Sequence, residues 1–94
     1  MFEIRQTPEG TVLFQGRFDA AQEEKVRSVL DRLDDTTVLD FRELSYIASS
    51  GLGILLRAQK RLQANGKTLR IVNLSPHLRE IFKMVSFDRI FQLE

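Results

Sequence analysis

A chain of 94 residues supports one small hydrophobic core and little room for a second. Fourteen Lys and Arg against thirteen Asp and Glu leave a formal +1, so no basic surplus recommends nucleic acid or an anionic membrane as a partner. Its 43% hydrophobic and 29% charged residues are ordinary globular usage, and the absence of cysteine removes disulfides, zinc thiolates and thiol nucleophiles, which suits a reducing cytoplasm.

The N-terminal run Met1-Phe2-Glu3-Ile4-Arg5 alternates apolar and polar residues without a long apolar stretch, so neither a signal peptide nor a membrane span is expected. Phe2–Gln6 has a period of two, Thr11–Gln15 is rich in strand formers, and Thr7-Pro8-Glu9-Gly10 between them supplies turn residues; together they predict a hairpin. Asp19, with Gln22 three positions later, has the spacing of a capping box. Val26, Val29, Leu30 and Leu33 then recur at i, i+3, i+4, i+7, the stripe of an amphipathic helix. Thr37–Phe41 predicts a short buried strand, followed by a loop from Arg42 to Ser50.

A second helix is expected from about Ser49 to Ala64. It closes at Asn65-Gly66, residues suited to a left-handed cap, and carries Arg57, Lys60 and Arg61 in its later turns, where cations suit the dipole. Thr68–Val72 is another strand. Ser75-Pro76 reads as N-cap and first helical residue of a third helix, with Leu78, Ile81, Phe82 and Val85 as its apolar stripe. Asp88–Leu93 suits either a last edge strand or a short cap on the core. Residues 1–94 therefore read as a single α/β domain of order ββαβαβα, with an optional final strand: a small mixed sheet of four or five strands with helices packed on it. The loops leaving the second and third strands should meet at one end of the sheet, which places Asp19 and Ser49 on the same rim.

Familiar catalytic patterns fail on inspection. Gly51-Leu52-Gly53 begins a dinucleotide fingerprint, but Leu56 stands where the third glycine is needed. Gly66-Lys67-Thr68 ends like a phosphate-binding loop, yet Arg61 occupies the earlier glycine position and the segment runs from helix to strand. No G-x-S-x-G elbow is present, and the one histidine, His77, sits at a helix start as a capping-region residue. The carboxylate pairs Glu23-Glu24 and Asp34-Asp35 fall on solvated faces or turns. No enzyme activity, metal or cofactor is expected.

One segment stands out: Tyr46-Ile47-Ala48-Ser49-Ser50-Gly51-Leu52-Gly53, with two hydroxyls and two glycines in the first turns of an otherwise apolar helix. Glycine inside a helix costs about 1 kcal/mol relative to alanine, so two of them call for an offset. Two explanations fit. Either Gly51 and Gly53 let the helix approach the sheet while Ser49 caps it, or the missing side chains leave the Ser49 hydroxyl open to a docking protein. A phosphate at such a helix start is tolerated by the fold, whereas a docked partner meets added bulk and about −1.5 to −2 charges.

Gly16-Arg17-Phe18-Asp19, Val38-Leu39-Asp40-Phe41-Arg42, Ile47-Ala48-Ser49-Ser50-Gly51-Leu52-Gly53 and Asp88-Arg89-Ile90-Phe91, in this order over nearly the whole chain, resemble a bacterial STAS domain of the anti-sigma factor antagonist branch. The resemblance implies a partner-switching protein, itself not an enzyme. Its unphosphorylated form binds an anti-sigma factor with serine kinase activity and so frees a sigma factor. It implies phosphorylation of Ser49 by that kinase, with Ser50 as second choice, and reversal by a phosphatase. It also implies a partner-binding set of Asp19, Ala48, Ser49, Ser50, Gly51, Leu52 and Gly53. One position departs: the family pattern has aspartate directly before the serine, where this chain has Ala48. The alternative within the family is a STAS subunit docked permanently on a transport ATPase, taking no phosphate.

Overall fold

The computed structural model describes all residues 1–94. Strands β1 (Glu3–Gln6) and β2 (Val12–Phe18) form the expected antiparallel hairpin, its turn closed by Gly10 N–H donating to the Thr7 carbonyl at 2.9 Å. A 3-10 turn (Ala20–Gln22) leads into helix α1 (Glu23–Leu30). Then come strand β3 (Thr37–Ile47), helix α2 (Ser49–Gln63), strand β4 (Leu69–Val72) and helix α3 (Pro76–Met84). A second 3-10 turn (Phe87–Arg89) and strand β5 (Gln92–Leu93) end the chain, so the tail supplies both a cap on the core and a short edge strand.

The five strands lie in sequence order, β1 antiparallel to β2 and all later pairs parallel. Because the order advances in one direction, right-handed crossovers place α1, α2 and α3 on the same face. That face carries Val12, Phe14, Phe18, Leu39, Phe41, Leu69 and Ile71, all buried, and a continuous chain of aromatic contacts from Phe2 through Phe14, Phe41 and Phe82 to Phe91. Leu13, Gln15, Arg17, Asp40 and Tyr46 point to the opposite, helix-free side, half-buried or exposed.

Strand β3 corrects the sequence reading most. It runs to Ile47 and absorbs most of the expected Arg42–Ser50 loop. Its register against β2 slips twice: Leu13 and Gln15 face Asp40 and Glu43, and Gly16 and Arg17 face Leu44 and Tyr46. Each slip adds one residue to β3, which makes a bulge. Buried positions therefore change from a period of two at Thr37, Leu39 and Phe41 to a period of three at Leu44 and Ile47. A strand that breaks its own alternation reads as a loop.

Smaller corrections have equally local causes. Asp19 caps the 3-10 turn through Oδ1, which accepts from Ala21 N–H at 3.1 Å, while α1 starts only at Glu23 with no side-chain cap. Leu33 lies past the end of α1 yet stays buried. Val85 sits at the C-cap of α3 and is 44% exposed, so the last position of that stripe leaves the core. At the end of α2 the expected glycine cap is present: Lys67 N–H donates to Leu62 and Gly66 N–H to Gln63, a Schellman pair made possible by φ +75° at Gly66.

Gln59 fixes how α2 sits on the sheet. Fully buried, its Nε2 donates to Thr68 Oγ1 at 2.9 Å and to the Ile90 carbonyl at 2.8 Å, and its Oε1 accepts from Leu69 N–H at 2.7 Å. Both of its polar atoms are partnered, so burying this amide ties α2 to β4 and to the C-terminal turn without an orphaned group.

Candidate functional site

At the carboxyl end of the sheet β2 and β3 finish side by side, Phe18 paired with Ile47. Ala48 N–H donates to the Phe18 carbonyl at 2.9 Å, which draws the residue after each strand onto one rim. Those residues are Asp19 and Ala48, and Ser49 follows Ala48 directly, so Asp19 and Ser49 lie at the same end of the sheet. The strand order never reverses, so no crevice opens between them of the kind that forms where α/β strand order switches. None of the three surface grooves includes Asp19, Ser49 or Ser50. On this rim Ser49 and Ser50 are exposed, and Asp19 and Ala48 are half-buried.

Helix α2 begins without a side-chain cap. Ala48 is the N-cap, in extended conformation with φ −80° and ψ 160°, and makes no side-chain capping bond. Ser49 is therefore the first helical residue and not the cap, correcting that part of the structural explanation. Ser49 and Ser50 are both exposed. No side chain engages the first backbone N–H groups of α2, which lie at the positive end of a fifteen-residue helix.

The two glycines separate cleanly. Gly51 is buried, and a Cβ there would lie 3.0 Å from Ile47 Cγ1 and 3.1 Å from the ring of Phe18; its hydrogen lets the first turn of α2 rest on the ends of β2 and β3. A Cβ at Gly53 would meet nothing within 4 Å. No packing requirement accounts for glycine there. Four residues after Ser49, it lies on the same face of the helix. Leu52, between them, is half-buried against the core.

Asp19 is half-buried, its carboxylate already accepting from Ala21 N–H. Sequence reasoning missed a pair one residue before this rim. Arg17 and Tyr46 face each other in register, and the Arg17 guanidinium carbon stands 4.1 Å from the Tyr46 ring centroid, a cation–π contact on the helix-free face. Only the bulged register reveals it. His77, exposed in the first turn of α3, has the bland placement expected.

Displaced titrations lie away from the rim. Hydrogen bonds from Arg70 hold the Glu94 carboxyl below the usual carboxylate range, on the far edge of the sheet. The Thr36 backbone N–H, assisted by Lys67, does the same for Asp35 in the turn before β3. No helix is long and apolar enough to cross a membrane.

The family model described as Mlab, STAS domain matches residues 3–93. A STAS-domain containing protein of Pseudomonas aeruginosa is 31% identical over 86 residues, covering 88% of this chain and 85% of its own. The anti-sigma-B factor antagonist of Listeria monocytogenes is 29% identical over 94 residues, covering 96% and 82%. Among solved structures, the Bacillus cell fate determinant SpoIIAA in its phosphorylated form superposes with a TM-score of 0.72 at 23% identity, over 100% of this chain and 91% of that one. The five-stranded mixed sheet with three helices is thus a fold shared with an anti-sigma factor antagonist. The chain belongs to the STAS domain family, among relatives that include anti-sigma factor antagonists.

Proposed function

We propose that this protein is a cytoplasmic anti-sigma factor antagonist whose unphosphorylated form binds a serine-kinase anti-sigma factor and releases the sigma factor. In this reading the protein regulates by binding and is a kinase substrate, not an enzyme. The observation that carries it is Ser49, an exposed hydroxyl in the first turn of an uncapped helix. The relative named as an anti-sigma-B factor antagonist and the fold shared with SpoIIAA, itself solved in a phosphorylated form, support the same reading.

The switch follows from local electrostatics. A phosphate on Ser49 faces free N–H groups at the positive end of α2, so the monomer accommodates it. A partner covering Asp19, Ala48, Ser49, Ser50, Leu52 and Gly53 meets about −1.5 to −2 added charges and must give up its contacts, each 1.4 kcal/mol weakening binding about tenfold. Gly51 belongs to the motif but faces the sheet, and it serves this surface by setting the helix down on Phe18 and Ile47. A phosphatase restores the hydroxyl and with it the binding surface.

Incubation with ATP and the cognate anti-sigma kinase, followed by mass spectrometry, tests the proposal. Label at Ser49 is the expected result, with Ser50 the second position. A complex that survives intact and takes no label at either serine would instead favour a subunit held permanently on a transport ATPase. Ala48, which brings no carboxylate beside the hydroxyl, is the residue that keeps that reading in play.

A further inference from the structure

The sheet has two edges, and they are finished differently. Strand β5 is two residues long, a stub that offers little to pair with. Strand β1 is four residues long, and its register against β2 runs without a slip. It carries no lysine, proline or bulge, devices that blunt an exposed edge, and its only charges, Glu3 and Arg5, have opposite sign. The hairpin fixes which backbone groups of β1 are free. Thr7 N–H donates to the Thr11 carbonyl at 2.8 Å, which makes Thr7 and Thr11 a hydrogen-bonded pair. Counting back along the antiparallel ladder, Arg5–Leu13 and Glu3–Gln15 are hydrogen-bonded pairs, while Gln6–Val12 and Ile4–Phe14 are not. The N–H and C=O groups of Ile4 and Gln6 therefore point away from β2, and no turn or cap bond uses them. Phe2 is next in the same alternation. Glu3 and Arg5, on the helix-free side beside Gln15 and Leu13, are exposed and form no ion pair.

We propose that β1 pairs antiparallel with β1 of a second copy of this chain, about a two-fold axis through Ile4, joining two five-stranded sheets into one. The charge pattern selects both the occupant and the register. With Ile4 opposite the partner's Ile4, the free groups of the two isoleucines bond each other, and those of Gln6 meet the partner's Phe2. Glu3 then stands opposite the partner's Arg5, and Arg5 opposite the partner's Glu3, in the closely spaced positions where cross-strand side chains interact most. An axis through Glu3 or Arg5 would instead set like charges against each other. An axis through Gln6 would bring Ile4 against the partner's Pro8, which has no N–H to give. Ile4, half-buried on the helix side, gains the partner's Ile4 as cover. The pairing is isologous and closed, so it ends at a dimer. Two short strands bury less than a standard interface, and the association is accordingly weak. Asp19 and Ser49 lie beyond β2 and β3, so the seam uses neither and does not rest on the antagonist reading.

Sedimentation equilibrium of the intact protein from micromolar to millimolar concentration, with amide hydrogen exchange at both ends of that range, tests the seam. A concentration-dependent dimer is expected, in which the Ile4 and Gln6 amides become protected. Glu3→Arg and Arg5→Glu should each weaken self-association about tenfold, since each sets like charges opposite each other on both sides of the axis. An equimolar mixture of these two variants should dimerise as strongly as the unaltered protein, because opposite charges again face each other, and its recovery shows that neither substitution damages the fold. Gln6→Pro deletes an outward N–H, leaves the β2 ladder untouched and should also weaken the dimer. A monomer at every concentration, a dimer without protection at Ile4 and Gln6, single variants that associate like the unaltered protein, or a mixture no tighter than its components would each overturn the proposal.

Discussion

Helices α2 and α3 both follow parallel strands at the carboxyl end of the sheet, and their first turns are built differently. Helix α3 starts from Ser75, whose hydroxyl accepts from Leu78 N–H at 3.2 Å, with Pro76 preset at the first helical position. Helix α2 starts from Ala48, which caps nothing, and is held in place by the Ala48–Phe18 backbone bond and by Gly51 lying on Phe18 and Ile47. At the α3 start Ser75 satisfies one orphan N–H and Pro76 has none to satisfy, while no side chain meets those of the α2 start. Stability and access are thus assigned to different helix ends of the same small domain. The serine that would have capped α2 stands one position on, and no side-chain hydroxyl bonds the backbone N–H groups of this helix start.

The largest effect comes from the packing that replaces the cap. Gly51→Leu forces a side chain into contacts already 3.0–3.1 Å from a single Cβ, and should cost about 3 kcal/mol in urea unfolding. A stability equal to that of the unaltered protein would mean that α2 does not rest on the strand ends. Next in size, Ser75→Ala should cost about 1 kcal/mol and Ser49→Ala less than about 0.5 kcal/mol, since only the first of the two serines caps a helix. Comparable losses in the two variants would erase the distinction between the helix starts. Ala48→Asp sharpens it from the other side: a capping carboxylate should stabilise the domain by about 1 kcal/mol, measured the same way.

Gly53→Ala should raise stability by about 0.5–1 kcal/mol, because the added methyl meets nothing within 4 Å and the helix gains the better former. On the proposed function the same methyl stands on the face of Ser49, so partner affinity should fall as stability rises. The smallest effect is a control remote from both helix starts. Glu94 is held below the usual carboxylate range by Arg70, so the pair contributes at neutral pH and its contribution disappears as pH falls through that range. Arg70→Gln should therefore differ from the unaltered protein in neutral solution and converge with it in acid, with only a slight gap because the pair is exposed.

Much of this was legible in the residues. The hairpin, the three helices, the Gly66 cap, the Ser75 cap and the shared rim of Asp19 and Ser49 all follow from period, turn chemistry and connectivity. The second half of β3 was hidden because two bulges replace alternation with a spacing of three at Phe41, Leu44 and Ile47. Gln59 was hidden because a lone amide within a helix reads as surface, and only the converging Thr68, Leu69 and Ile90 groups make it core. Gly51 and Gly53 are the same letter two places apart; a helix turns about 200° between them, so one faces the sheet and the other the solvent. Local sequence marks the segment as odd, and the tertiary placement tells which glycine serves the fold.

The central claim is that an anion on Ser49 is harmless to the domain and decisive for its partner. It is tested most directly by preparing the protein phosphorylated at Ser49 and the unmodified form, then comparing thermal unfolding and calorimetric affinity for the anti-sigma kinase at matched salt. The account predicts Tm values within about 3 °C of each other and an affinity at least about tenfold weaker for the phosphorylated form. Equal affinities, or a phosphorylated domain that unfolds far below the unmodified one, would contradict it.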